Sequence, residues 1–434
     1  MKLFLTCIII LSFISCSQKE KVDLIIYNAT VYTVDSSFSI AEAIAVKDGK
    51  IIATGKSSEL QDKYDVKEKI DTEGKFIYPG FIDAHAHFVG YGNSLQTVNL
   101  VDTKSWEEVL ERTKKFGDEN PTAGEWLLGR GWDQNDWPVK EFPDNKKLNE
   151  LFPDRPVLLT RIDGHAAIAN KKALELAGVT FADQIGLRGG QIVTYPLPEM
   201  DMRDVPLEFL TGVLIDNAVG LVSSKIPGQT KEQFKEALTD AEKNCFAVGL
   251  TTIDDCGLSF EAVEGIKAMQ SAGELKMRLY VMLSDNNANF DYLNKTGIIK
   301  TDRLNVRSIK VYADGALGSR GACLLQPYSD KPGWSGFLLS TQSHFDSVAR
   351  YISQKGWQMC THAIGDSGNR TILNIYAKYL KGKNDLRWRI EHSQVVNQND
   401  FDWFGTNAIV PSVQPTHATS DMYWAGDRLG PERV

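Results

Sequence analysis

A chain of 434 residues, 42% of them hydrophobic, can bury a large core and divide into one big domain and a smaller companion. Its 56 acidic and 48 basic side chains give a formal charge of −8, which argues against a basic face for nucleic acid or anionic lipid. No internal repeat, low-complexity tract or long run of like charge breaks the sequence.

The N-terminus stands apart. Met1-Lys2 precedes an apolar run from Leu3 to Ile14, too short for a stable membrane span and fitting the apolar region of an export signal. The run ends Phe13-Ile14-Ser15-Cys16, which resembles a bacterial lipobox, where the cysteine is lipidated and becomes the mature N-terminus. The expectation is a signal over 1–16, a polar tether from Ser17 to Lys21, and a protein held at the cell envelope by lipid on Cys16. A plain secretory signal with a chance cysteine is the alternative. Cys245, Cys256, Cys323 and Cys360 form no CxxC pair and are expected to be buried free thiols.

Residues 17–76 read as a small β domain. Ala43-Ile44-Ala45-Val46 and Lys50-Ile51-Ile52-Ala53 flank Lys47-Asp48-Gly49, and Asp-Gly between apolar runs signals a hairpin. The stretch Ile77-Tyr78-Pro79-Gly80-Phe81-Ile82-Asp83-Ala84-His85-Ala86-His87 follows. Pro79 and Gly80 turn the chain, and Phe81 to Ala84 read as a strand ending in two histidines. Strand side chains alternate, so residues two apart share a face. His85 and His87 therefore project together, about 7 Å apart along the backbone, a spacing that lets two neutral imidazoles converge on one metal ion.

The run PGFIDAHAH resembles the first-strand signature of the amidohydrolase superfamily, whose members are metal-dependent hydrolases. Later motifs resemble the branch containing N-substituted formamide deformylase, from about Val22 to the last residue. The resemblance implies a TIM-like (β/α)8 barrel beside a small N-terminal β-sandwich, which in the family is completed by C-terminal strands.

An insertion is expected over about 88–240. It carries a helix near Ser105–Phe116, then Gly129-Arg130-Gly131-Trp132-Asp133-Gln134. Beyond it, Arg155 to Ile162 reads as a strand running into Asp163-Gly164-His165, and Ala166–Ala177 as a helix stopped by Gly178. GRGWDQ and DGHAAIAN both resemble segments of that branch. His165 is a candidate substrate-binding residue, or else a helix-entry histidine bonded to backbone. Trp132 and Asp133 read as pocket-wall or structural residues.

From residue 241 helix and strand alternate, as a parallel α/β fold requires. Strands are expected at Thr251–Asp254, Met277–Leu283, Ser308–Ala313, Gln358–His362, Trp388–His392 and Ile409–Gln414. With the His85 strand they make seven, and the barrel needs eight. Helices fit the gaps at Lys231–Val248, Phe260–Ala272 and Gly368–Leu380.

Lys310, His362 and His392 fall near the C-terminal ends of strands four, five and six, the end at which barrel active sites lie. Lys310 faces opposite Ile309 and Val311, where burial lowers a lysine pKa. In binuclear members of the family the matching lysine forms a carbamate bridging two metals. A salt bridge from Lys310 to Asp314 or Asp254 is the plainer reading. The resemblance thus implies a metal set of His85, His87, Lys310, His362 and His392, holding one or two Zn2+. His344 and His417 read as surface or loop residues, His417 a faint pocket candidate. The family's strand-eight aspartate, which shuttles the proton, is not assignable, so the sequence reads as C-terminally incomplete. The expected reaction is hydrolysis of a carbon–nitrogen bond other than a peptide bond in a small amide-type substrate. Other hydrolyses in the superfamily, or an inactive envelope fragment, are the rivals.

Overall fold

Asp48 and Gly49 both adopt left-handed backbone, φ +50° and +71°, at the tip of the antiparallel hairpin Ala43–Lys47 and Lys50–Gly55. Successive left-handed residues match the twist of the strands they join, which is why Asp-Gly sits there. The computed structural model describes residues 19–434 apart from 122–125, 163, 165, 186, 188–189, 198–200, 202–204, 217 and 319. The expected signal 1–16, with Cys16, lies outside the described residues, as does His165. No described helix is long and apolar enough to cross a membrane.

The chain divides into two units, Met1–Phe81 and Ile82–Val434. In the first, the hairpin extends into a four-stranded sheet through Glu20–Tyr27 and Tyr64–Asp71. Val22, Ile25, Ala43, Ala45, Leu60 and Tyr64 form its core. A separate three-stranded sheet joins Ile40–Ala41, Thr30–Tyr32 and Phe76–Ile77.

The second unit is built on seven strands: β1 (Phe81–Ala86), β2 (Leu250–Leu258), β3 (Arg278–Ser284), β4 (Leu304–Tyr312), β5 (Gln358–Ala363), β6 (Arg389–His392) and β7 (Val410–Ser412). They lie side by side in chain order, and β2 to β7 each pair in parallel with the next. Helices Phe260–Ser271, Asn287–Thr296, Gln342–Lys355, Asp366–Leu380 and Phe401–Thr406 fill the connections. The result is a nearly closed, TIM-like parallel barrel with the expected seven strands. The family's strand-eight aspartate has no counterpart among the described strands.

Alternation sorts the barrel's side chains. Ile309 and Val311 of β4, Met359 of β5 and Ile390 of β6 join the apolar layer beneath the helices. On the opposite face, Cys256, Met282 and Cys360 pack together beside Tyr280. The four described cysteines are free thiols as expected, three of them buried and Cys323 only partly so.

The insertion is richer than its sequence suggested. It holds a six-stranded sheet in the order Gly190–Thr194, Leu210–Asp216, Ala166–Ala169, Val157–Arg161, Leu127–Trp132, Val98–Asn99. The expected helix over Ala166–Ala177 is corrected here. Ala166–Ala169 is an antiparallel strand between two others, and only Lys171–Ala177 is helical. All four strand residues are buried, so sheet packing overrides their helix propensity. Buried Asn170 makes the break: its Oδ1 accepts from the N–H of Val157 and of Ala173, and its Nδ2 donates to the carbonyls of Phe152 and Arg155. Trp132 is fully buried and donates Nε1–H to the Leu159 carbonyl, a structural role.

Gly365, at the entry of helix Asp366–Leu380, has no room for a side chain, because a Cβ there would stand 2.1 Å from the Cys323 carbonyl oxygen. Gly365→Ala should cost about 1–3 kcal/mol. Gly405→Ala, on a helix with nothing near its Cβ, should be neutral or stabilising. Urea midpoints of the two variants check this, and equal midpoints would contradict the packing argument.

Candidate metal centre

Four histidines meet at the C-terminal ends of the strands. The ring centroids of His85 and His392 lie 4.6 Å apart, those of His362 and His392 4.6 Å, and those of His85 and His87 5.9 Å. Register explains the convergence, since Tyr312 of β4 pairs with His362, and Ala363 of β5 with His392. His392 departs from alternation. It would face outward with Ile390, but its backbone is left-handed, φ +74°, as is that of Ser393, φ +43°. Ser393 N–H donates to the Ala363 carbonyl and Val395 N–H to that of Ile364, holding the strained turn in place.

Each imidazole has a defined edge. His85 Nδ1 lies 2.5 Å from Glu391 Oε2, and His392 Nδ1 lies 2.7 Å from Gln414 Oε1. Both acceptors fix the proton on Nδ1 and leave Nε2 with its lone pair, the arrangement that orients metal-binding histidines. His362 Nε2 is buried, has no protein hydrogen bond, and stands 3.7 Å from Asp314 Oδ1. Three of the rings are also driven toward the neutral form. Burial lowers the His392 pKa to about 3, helped by His362, His85 and the Lys310 ammonium. Burial and Lys310 lower that of His362 to about 4, against an opposing pull from the Gly315 backbone. His87 is lowered by burial, then by His85 and Lys310. Neutral imidazoles with a free nitrogen, one of them orphaned, fit a divalent cation.

Lys310 is 1% exposed and points into the barrel beside this cluster. Burial depresses its pKa, which Cys256 and Glu391 partly oppose. Among the described residues no carboxylate lies within ion-pair distance of its ammonium. Both partners of the plainer reading are engaged elsewhere. Asp254 takes Arg389 Nη1 at 2.6 Å, and Asp314 accepts the N–H groups of Cys323, Ile364 and Gly365.

The match to known proteins agrees with this architecture. A model described as "Amidohydrolase family" covers residues 68–434. The chain belongs to the amidohydrolase family. "Protein LONG AFTER FAR-RED 3" of Arabidopsis thaliana is 30% identical over 95% of the chain and 71% of its own length. N-substituted formamide deformylase of Arthrobacter pascens is 26% identical over 86% of the chain and 69% of its length. A crystal structure titled as an uncharacterized metal-dependent hydrolase from Pyrococcus furiosus superposes with a TM-score of 0.74, at 27% identity. That match covers 94% of this chain and 80% of that one.

Several residues of this amidohydrolase's site escaped the sequence reading. Glu391, fully buried, orients His85, and Arg389 Nη2 donates to the same Oε2 at 2.9 Å. Cys256 Sγ lies within 4.8 Å of a His85 nitrogen and a Glu391 oxygen. The signal was Arg389-Ile390-Glu391, two opposite charges sharing one face of a buried strand. His344, read as a surface or loop residue, is partly exposed on the helix Gln342–Lys355 and bonded to Asp285 at 2.6 Å. His417, the faint pocket candidate, does lie beside the cluster, 6.0 Å from His392 by ring centroid.

These shifts predict an acid-sensitive metal-free protein. His392 and His362 stay neutral down to about 3 and about 4, whereas unfolded histidines bind protons near 6.5. The unfolded chain therefore holds more protons in that window, and stability falls as pH drops from 6.5. Glu391, held near 2 because His85 and Arg389 outweigh its burial, adds the same sign between 4.5 and about 2. The urea midpoint should decline from pH 7 to 4, and His362→Gln with His392→Gln should flatten that slope. A midpoint that rises on acidification would contradict the assignment.

Proposed function

We propose that the protein hydrolyses a carbon–nitrogen bond other than a peptide bond, in an amide or N-substituted formamide, at one or two divalent cations, with Zn2+ the first expectation. The clustering of four histidine rings at the strand ends, with the buried, unpartnered Nε2 of His362 among them, carries this reading. His85 and His87 from β1, His362 from β5 and His392 from β6 would hold the metal. When bound, the metal supplies a water of lowered pKa and a Lewis acid for the substrate carbonyl.

The chain's own groups set the conditions. Glu391 and Gln414 lock the tautomers of His85 and His392, so that metal binding at Nε2 displaces no proton. Burial favours the neutral Lys310 amine, the form that adds to CO2. The amine nitrogen bonds to the carbon, one proton leaves to solvent, and an anionic carbamate remains. An anion there offsets the repulsion of two neighbouring cations.

Metal-loaded protein should release amine and carboxylate from N-alkylformamides or simple amides. Chelation should abolish that release and Zn2+ restore it. Lys310→Ala should lose roughly one metal equivalent and most activity, with partial rescue by short carboxylic acids. Lys310→Arg should resist rescue, because its charge stays in the site. Full metal content and rate in Lys310→Ala would make the lysine structural and the site mononuclear. Cleavage of esters or lactones without amides would overturn the carbon–nitrogen reading.

We also place the protein at the cell envelope, on the apolar run ending at Cys16. In a lipoprotein-competent bacterium it should sediment with membranes and incorporate labelled lipid, and Cys16→Ala should release it or block processing. Unlabelled wild-type protein would rule the anchor out.

A further inference from the structure

The C-terminal end of the barrel carries a second histidine system that the metal reading leaves unused. His417 begins the short helix His417–Ser420 after β7, its ring 6.0 Å from that of His392. Its Nδ1 lies 3.0 Å from Asp421 Oδ2. Asp421 is itself fixed from two sides. Gln394 Nε2, on the loop after β6, donates to Oδ2 at 2.7 Å, and Ser420 Oγ donates to Oδ1 at 2.8 Å.

A carboxylate can only accept, so the His417 Nδ1 carries the proton. With Nδ1 engaged by Asp421, Nε2 is the polar edge of the ring left for a ligand. No hydrogen bond to Nε2 forms among the described residues, and the side chain is 29% exposed, so the ring is open to a ligand. Two loops at the barrel mouth thus converge to hold this ring by its Nδ1 edge beside the proposed metal ligands. His392 is the ring neighbour of all three, with His85 and His362 each at 4.6 Å and His417 at 6.0 Å. The 6.0 Å between the rings of His417 and His392 is short enough for one small substrate to meet both.

We propose that His417 Nε2 accepts a hydrogen bond from the substrate's amide N–H, making the site selective for secondary amides over N,N-disubstituted ones. The inference rests on the hydrolytic reading above and deepens it. A tertiary amide has no N–H to offer, and its extra alkyl group meets the imidazole edge, leaving the acceptor unpaired.

The test compares N-butylformamide with N-butyl-N-methylformamide on metal-loaded protein, measuring kcat/KM for both and metal content for each variant. Wild type should prefer the secondary amide by roughly tenfold or more, the worth of one hydrogen bond. His417→Phe should collapse that ratio toward unity with metal content unchanged. His417→Gln, whose amide oxygen can accept, should retain part of it. Asp421→Asn should erode the ratio too, because the asparagine amide can donate to Nδ1 and move the ring proton to Nε2. A ratio unchanged in His417→Phe overturns the proposal. So does loss of a metal equivalent in that variant, which would make His417 a ligand. If the wild type turns over neither amide, the hydrolytic reading fails and this inference with it, a failure visible before any variant is compared.

Discussion

A guanidinium group enclosed by a barrel must be met by anions and carbonyls, because an unpaired buried charge costs several kcal/mol. Arg389 is met from four strands. Nη1 donates to Asp254 of β2 at 2.6 Å. Nη2 donates to Glu391 of β6 and to Ser412 of β7, both at 2.9 Å, and to the Ala84 carbonyl of β1. The network joins the first strand to the last two across the barrel and leaves Glu391 facing His85. The orientation of His85, and with it the geometry of the histidine cluster, depends on this ion network. The planar fork of arginine suits it in a way that lysine's single ammonium does not.

The same burial that makes the network necessary prepares the site above it. Desolvation holds His87, His362 and His392 neutral and depresses Lys310. Glu391 moves the opposite way, because its two partners favour the anion more than burial disfavours it. Titratable groups packed into one cavity are thus driven to different protonation states, the pattern that a metal centre needs and a structural core does not.

The loops above the strands are fixed by carboxylate-to-backbone hydrogen bonds as well as by side-chain packing. Asp314, just past β4, accepts three backbone N–H groups from two loops, while burial raises its pKa to about 6. Gly368 is bare because a Cβ would stand 2.6 Å from the Asp314 carboxylate. Asp366 accepts the Leu325 N–H and ties the same two loops again. These contacts place His362 at a fixed height relative to β4 and keep Leu317, Leu324 and Ile364 in one small cluster.

Much of the second unit was legible in the linear pattern. Short apolar runs separated by helical stretches placed β2 to β7 within a few residues, and HxH at a strand end drew attention to β1. That legibility came from local physics: alternation of faces, Asp-Gly turns and glycine stops each act over a few residues. It failed where the environment outvoted the local signal. Ala166–Ala169 reads as helix by propensity and becomes a strand because two neighbours pair with its edges while separate apolar clusters bury its two faces. His392, read as a ligand from its place at the strand end, reaches the cluster on a left-handed backbone that the linear pattern does not show. Arg389 and Glu391 carried a local signal, but their roles did not show because their partners Asp254 and His85 lie 135 and 306 residues away in the chain. By itself the sequence determined which residue types stand at the strand ends and how many strands carry them, since both follow from short-range periodicity. The tertiary structure alone decided which imidazole edges are free, which groups stay neutral and which carboxylate orients which ring, because burial and hydrogen-bond partnership are set only when distant strands meet.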